Sequence, residues 1–97
     1  MEKKLKYNPS DYPDLQYYME DIEKQYKNYI LKNKDKISAF FLADSINELR
    51  NGLKSSIILK NITKEEADEM LDYYWRLLDD WYYKFKTRNK YLWWIRT

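Results

Sequence analysis

Seven carboxylates crowd residues 65 to 80: Glu65, Glu66, Asp68, Glu69, Asp72, Asp79 and Asp80. Converging carboxylates could hold a hard metal ion or divide acid and base roles between them. On a helix, however, most of these positions turn away from the apolar row Ala67, Leu71, Tyr74 and Leu78. That placement predicts a solvated polar face rather than a reactive pair. The chain has no histidine and no cysteine, which removes the commonest zinc ligands and the commonest general base. A single glycine, Gly52, leaves no phosphate-binding loop or dinucleotide fingerprint to be written. The serines have no evident activating base. The expectation is a protein that is not an enzyme, with no catalytic residues, no cofactor and no metal.

A second concentration of chemistry lies in "KFKTRNKYLWWIRT", residues 84 to 97. Lys84, Lys86, Arg88, Lys90 and Arg96 share it with Phe85, Tyr91, Leu92, Trp93, Trp94 and Ile95, and it contains no acid. Basic residues at the end of a helix complement its dipole. The tryptophans need a further reason. Adjacent helical residues point about 100° apart, so one core contact cannot bury both Trp93 and Trp94. Tryptophan, tyrosine and arginine are also the usual anchors of protein interfaces.

The elements that would carry these residues follow from period. Gly52, Pro9 and Pro13 are the only strong chain breakers, which favours long helices over many short strands. Leu15, Met19, Ile22, Tyr26 and Tyr29 step by three and four, with Tyr18 and Ile30 widening the row. This predicts a helix over about 12–33, with Asp11 as N-cap and Pro13 in its first turn. Ala39, Leu42, Ile46, Leu49, Leu53 and Ile57 form the next stripe, with Ile37, Phe41 and Leu59 on a flank. It predicts a helix over about 36–60, capped by Asp35 and continuing through Gly52, the alternative being a break at Gly52 with Ser55–Leu59 as an extended link. In "KNITKEEADEM", Thr63 and Glu66 have the spacing of a capping box. Asn61 is expected to take the left-handed conformation that ends helix two, with Ile62 packed between the helix ends. Ala67, Leu71, Tyr74, Leu78, Trp81 and Phe85 then predict a third helix over 64–87 or beyond, with Met70 and Leu77 filling its face. The fold class is all-α: an antiparallel up-down-up three-helix bundle, one domain over 1–97, with 1–10 as a flexible N-terminal arm.

Composition narrows the class further. At 44% apolar and 35% charged residues, the chain can bury a core and is not disordered. No apolar stretch approaches the roughly 20 residues that span a bilayer. "MEKKLKYNP" has no apolar run after its cations, so no secretory signal is expected. Together with the lack of cysteine this predicts a cytoplasmic protein. A net charge of +2 is too small for a protein that coats nucleic acid with its whole surface.

Function is then expected in what the core does not use. Trp75, Tyr82 and Trp93 share a strip beside the core face of helix three, while Tyr83 and Trp94 point nearly opposite it. Phe40 and Ile58 lie eighteen residues apart at one angle on the polar side of helix two, and Tyr17 and Leu31 lie off-face on helix one. The leading expectation is a small non-catalytic protein-binding module, an inhibitor or adaptor acting by occlusion. Its partner-binding residues would be Trp75, Tyr82, Lys84, Lys86, Arg88, Lys90, Trp93, Trp94 and Arg96. Lysine, asparagine, isoleucine and tyrosine suit AT-rich coding, which extends this expectation to a phage or mobile-element antagonist of bacterial host machinery, such as a CRISPR inhibitor. Two readings compete. One is a nucleic-acid-binding helical protein using the basic aromatic C-terminal segment. The other is a membrane-surface bundle resembling bacteriocin-immunity proteins. A homodimer seam through Phe40, Ile58 and the edge of helix three is compatible with all of them.

Overall fold

The computed structural model describes residues 5–78. Three helices account for most of them: α1 (Gln16–Leu31), α2 (Lys36–Ile58) and α3 (Lys64–Trp75), preceded by a short 3-10 turn at Pro9–Asp11. The fold is an all-α three-helix bundle. α2 is its middle element and packs against both α1 and α3.

The register of α1 on α2 can be read from named contacts. Ser45 Oγ donates to Asp21 Oδ2 at 2.6 Å, and Ser56 Oγ donates to Asp14 Oδ2 at 2.5 Å. Moving back along one helix moves forward along the other, so the two run antiparallel. Between these staples the helices approach closely at Gly52. A Cβ there would lie 2.7 Å from Tyr18 Cε2 and 2.9 Å from Tyr18 Cδ2. The glycine therefore costs helix propensity but opens the notch that the Tyr18 ring fills. α2 runs through it without a break, as the unbroken stripe predicts.

The core is the set of rows expected from period. Leu15, Met19, Ile22 and Tyr29 of the first row are buried, with Leu42, Ile46, Leu49 and Leu53 of α2 and Ala67, Met70, Leu71, Tyr74 and Leu78 beyond it. Tyr26 and Ile57 are half-buried against this cluster. Ile62 is buried in the α2–α3 link.

Helix ends separate the predicted caps that hold from those that do not. Asp35 caps α2, its Oδ1 accepting the Ser38 backbone N–H at 2.7 Å. The capping box of α3 is complete: Glu66 N–H reaches Thr63 Oγ1 at 3.1 Å, and Thr63 N–H reaches Glu66 Oε1 at 2.9 Å. The start of α1 differs. Its N-cap is Leu15, not Asp11, and no side chain caps it; Asn8 caps only the preceding 3-10 turn, accepting from Ser10 N–H at 3.2 Å and Ser10 Oγ at 3.0 Å. The chain then makes a further turn, with Leu15 N–H on Tyr12 O at 2.8 Å, before α1 begins at Gln16. Asp14, nearer the helix than Asp11, is drawn sideways to Ser56 and Asn61 instead of capping.

Both inter-helix links close without glycine. Asn33, Lys34 and Lys60 adopt positive φ of 58°, 60° and 63°. Around Lys60, its own N–H bonds Ile57 O at 3.0 Å and Asn61 N–H bonds Ser56 O at 2.9 Å. That is a Schellman ending, with Lys60 rather than the expected Asn61 in the left-handed position. The third helix ends at Trp75, short of the expected 87. Arg76, Leu77 and Leu78 donate to Tyr73, Tyr74 and Trp75 carbonyls at 3.2, 3.1 and 3.2 Å, so the ladder tightens to i→i−3 bonds at this point. The rest of the expected helix, with Trp81 and Phe85, lies outside the described residues.

Of the expected N-terminal arm, residues 5–10 lie on the bundle. Leu5, Tyr7 and Tyr12 pack against the core. Lys6 N–H donates to Tyr73 Oη at 2.8 Å, which ties the start of the described chain to α3.

Candidate protein-binding surface

α2 presents a second, outward face. Ile37, Phe40, Phe41, Asp44, Glu48, Asn51, Ser55, Ile58 and Leu59 are all exposed. At 100° per residue they fall in one strip, opposite the buried row Ala39, Leu42, Ile46 and Leu49. The strip is apolar at both ends and polar in the middle. Ile37, Phe40 and Phe41 are 67%, 61% and 51% exposed, and Ile58 and Leu59 are 78% and 66% exposed. The Phe40 and Phe41 rings touch edge to face, with centroids 5.9 Å apart. Leu31 and Ile30, at the end of α1, add exposed apolar surface near the link that leads to Ile37. Single exposed apolar residues are ordinary, but a grouped set of large ones marks an interaction surface.

The opposite side of the molecule carries aromatic residues that already have partners. Tyr7 packs edge to face on Tyr73 at 5.3 Å and lies 6.2 Å from Tyr12 and 6.0 Å from Tyr74. Lys6 Nζ stands 5.3 Å from the Tyr7 ring centroid and 6.0 Å from that of Tyr73. Burial, with Glu23 nearby as the next cause, pushes the Tyr74 hydroxyl well above the ordinary phenol range. Next to this cluster an open cleft of about 810 Å³ separates residues 5–9 from α1. Leu5, Tyr7, Pro9 and Tyr26 line it, with Lys6, Glu20, Glu23, Lys24 and Lys27 among its charged groups. Burial raises the Glu23 carboxyl, Glu20 adds to the shift, and Lys27 opposes it. Cations and acids alternate in this cleft, so it favours no one ligand charge.

The buried serine hydroxyls are occupied in packing. Ser45 and Ser56 are buried and donate to Asp21 and Asp14. Hydrogen bonds from Ser56 and then Asn61 hold the Asp14 carboxyl below its usual range against the opposing effect of burial. A carboxylate stabilised in this way is a poor base, and the pair works as a helix-to-helix staple. Among the described residues no three carboxylates come together as a metal ion would require.

The residues expected to bind a partner divide sharply. Trp75 is buried at 5% exposure within the core cluster. It was expected as an edge anchor. Instead the large ring closes the boundary of the core beside Leu71 and Tyr74, so it is not an accessible docking group. Tyr82, Lys84, Lys86, Arg88, Lys90, Trp93, Trp94 and Arg96 lie outside the described residues, as does Tyr83. Phe40, Ile58, Tyr17 and Leu31, expected off-face, are exposed at 61%, 78%, 78% and 79%. Ile37, Phe41 and Leu59 correct the sequence reading, which put them on the flank of the core stripe. Ile37 is nine residues from Ile46, or 180° away on the helix, so angle measured from the core centre would have placed it outside.

No family model, curated protein or solved structure matches this chain. No helix among the described residues is long and apolar enough to cross a membrane.

Proposed function

We propose that this chain is a small protein-binding helical module that acts by covering a surface rather than by catalysis. One observation carries the reading: the outward face of α2 holds four large exposed apolar side chains, Ile37, Phe40, Phe41 and Ile58, and its C-cap Leu59 adds a fifth on the same strip. Such a strip supplies helix-in-groove or helix-on-helix contacts, with apolar anchors at helical spacing. An inhibitor or adaptor that works by occlusion, including an antagonist of host machinery carried by a phage, fits this physical role.

The test is affinity capture with the full chain and a Phe40→Ala/Phe41→Ala variant as baits. Both positions are exposed, so the variant should keep the wild-type helical signal. Loss of a stoichiometric captured protein from the variant supports the α2 face as the site. Equal capture by both baits moves binding elsewhere. If only nucleic acid is retained, and retention falls steeply with salt, the protein-binding reading is overturned.

A further inference from the structure

We propose that the outward face of α2 pairs with the same face of a second copy of this chain, antiparallel about a two-fold axis. This names a partner for the protein-binding reading above and rests on it. The argument is the internal symmetry of the strip. Phe40 and Ile58 are eighteen residues apart, and so are Phe41 and Leu59. Eighteen residues are about five full turns and ~27 Å, so each pair shares one angle on the helix. A two-fold at the level midway between Leu49 and Arg50 brings Phe40 of one copy opposite Ile58 of the second copy. It brings Phe41 opposite Leu59 of the second copy in the same way. Each aromatic end thus meets an aliphatic end, and each such contact occurs twice, as the reciprocity of an isologous interface requires.

Charge selects the antiparallel arrangement over the parallel one. In the antiparallel pair Asp44 faces Ser55 of the second copy, and only Glu48 approaches its own equivalent across the axis. A parallel pair would set Asp44 on Asp44 and Glu48 on Glu48 in register. The area also suffices. At the exposures given above, the five apolar side chains present roughly 600 Å² per copy, before the four polar residues between them are added; a standard interface takes about 800 Å² per partner. The contact falls at the small end of specific interfaces, where weak and reversible association is typical.

Sedimentation of the full chain from ~2 to ~200 μM reads this directly. A reversible monomer–dimer equilibrium is expected, abolished by Phe40→Ser/Phe41→Ser with helicity retained. Glu48→Gln removes the one like-charge contact and should tighten the dimer several-fold. The chain has no cysteine, so single thiols report geometry cleanly. Two Asn51→Cys positions would differ in level by ~4.5 Å along the helix direction, and two Ser55→Cys positions by ~16 Å; only the first is compatible with a disulfide. Rapid cross-linking at position 51 with none at position 55 supports the pairing. Equal cross-linking at both, or none at either, overturns the antiparallel two-fold. A monomer at all concentrations overturns the second copy as occupant. If that monomer still captures a protein that the double-phenylalanine variant loses, the protein-binding reading survives alone. If it neither captures protein nor binds a hydrophobic dye, the α2 face is not a docking surface and both readings fail.

Discussion

The two long faces of α2 carry comparable apolar content and behave oppositely. The inward face alternates large residues with small ones: Leu42, Ile46, Leu49 and Leu53 stand beside Ala39, Ala43, Ser45, Gly52 and Ser56, and all are buried. The outward face has large apolar residues at its ends, Ser55 as its one small residue, and no alanine or glycine. Small residues let a neighbouring backbone or ring come close, as Tyr18 does at Gly52. Large ones project to meet something at a distance. Apolar content alone does not separate a core face from a docking face here; the presence of small residues between the large ones does.

The greatest expected contrast is therefore between truncations on opposite sides. Leu49 is fully buried, and Leu49→Ala should cost about 3 kcal/mol through lost transfer energy and a residual cavity. Phe41→Ala removes a larger side chain from a half-exposed position and should change stability by less than about 0.5 kcal/mol in dilute protein. Denaturant unfolding at low concentration checks both. A loss of more than about 2 kcal/mol for Phe41→Ala would mean that the outward face is covered within the monomer, and the contrast would collapse.

How much of this was visible in the residues depends on how local the governing interaction is. The inward rows, the Asp35 cap and the Thr63–Glu66 box need only near neighbours, and each stands where spacing puts it. Phe40 and Ile58 were separable from the core by angle alone. Three features were not local. Asp14 leaves the helix start because Ser56 and Asn61, far along the chain, compete for its carboxylate. The notch at Gly52 exists only once the register of α1 on α2 is known. Trp75 sits at an edge angle, and its burial depends on how the core boundary closes around it. The predicted basic and aromatic anchors from Tyr82 to Arg96 fall outside the described residues, and the candidate surface rests on α2, which carries Phe40 and Ile58 off the core by angle.

A smaller effect probes the inward face itself. Gly52→Ala should gain about 1 kcal/mol of helix propensity. The new Cβ meets Tyr18 Cε2 at 2.7 Å and Leu15 Cδ2 at 3.3 Å, and overpacking of this kind costs about 1–3 kcal/mol. A net loss near 1 kcal/mol is expected. In a Tyr18→Ala background the clash with the ring disappears, only the 3.3 Å approach of Leu15 Cδ2 remains, and the same substitution should stabilise, by something under 1 kcal/mol. This reversal of sign is the useful signature. Stabilisation by Gly52→Ala in both backgrounds would show that α1 yields freely, and that the small residues of α2 do not set the approach.

The smallest effect tests the polar staple that holds the inward face in register. Ser56 donates to the Asp14 carboxylate at 2.5 Å, and that bond is the main cause of the lowered Asp14 pKa. Asp14 lies at the surface, so Ser56→Ala should cost only about 1 kcal/mol near neutral pH. A carboxyl with a depressed folded pKa contributes stability above its unfolded pKa and loses it as pH falls through the folded value. The difference between wild type and Ser56→Ala should therefore be full above the ordinary carboxyl range and shrink below pH 3.8, the unperturbed value. An outward control, Ser55→Ala, should show no such dependence, because Ser55 is exposed on the other face. If both serine variants lose stability equally at all pH values, the hydroxyl at 56 is not bonded to a charged partner. The register of α1 on α2 would then rest on apolar packing alone.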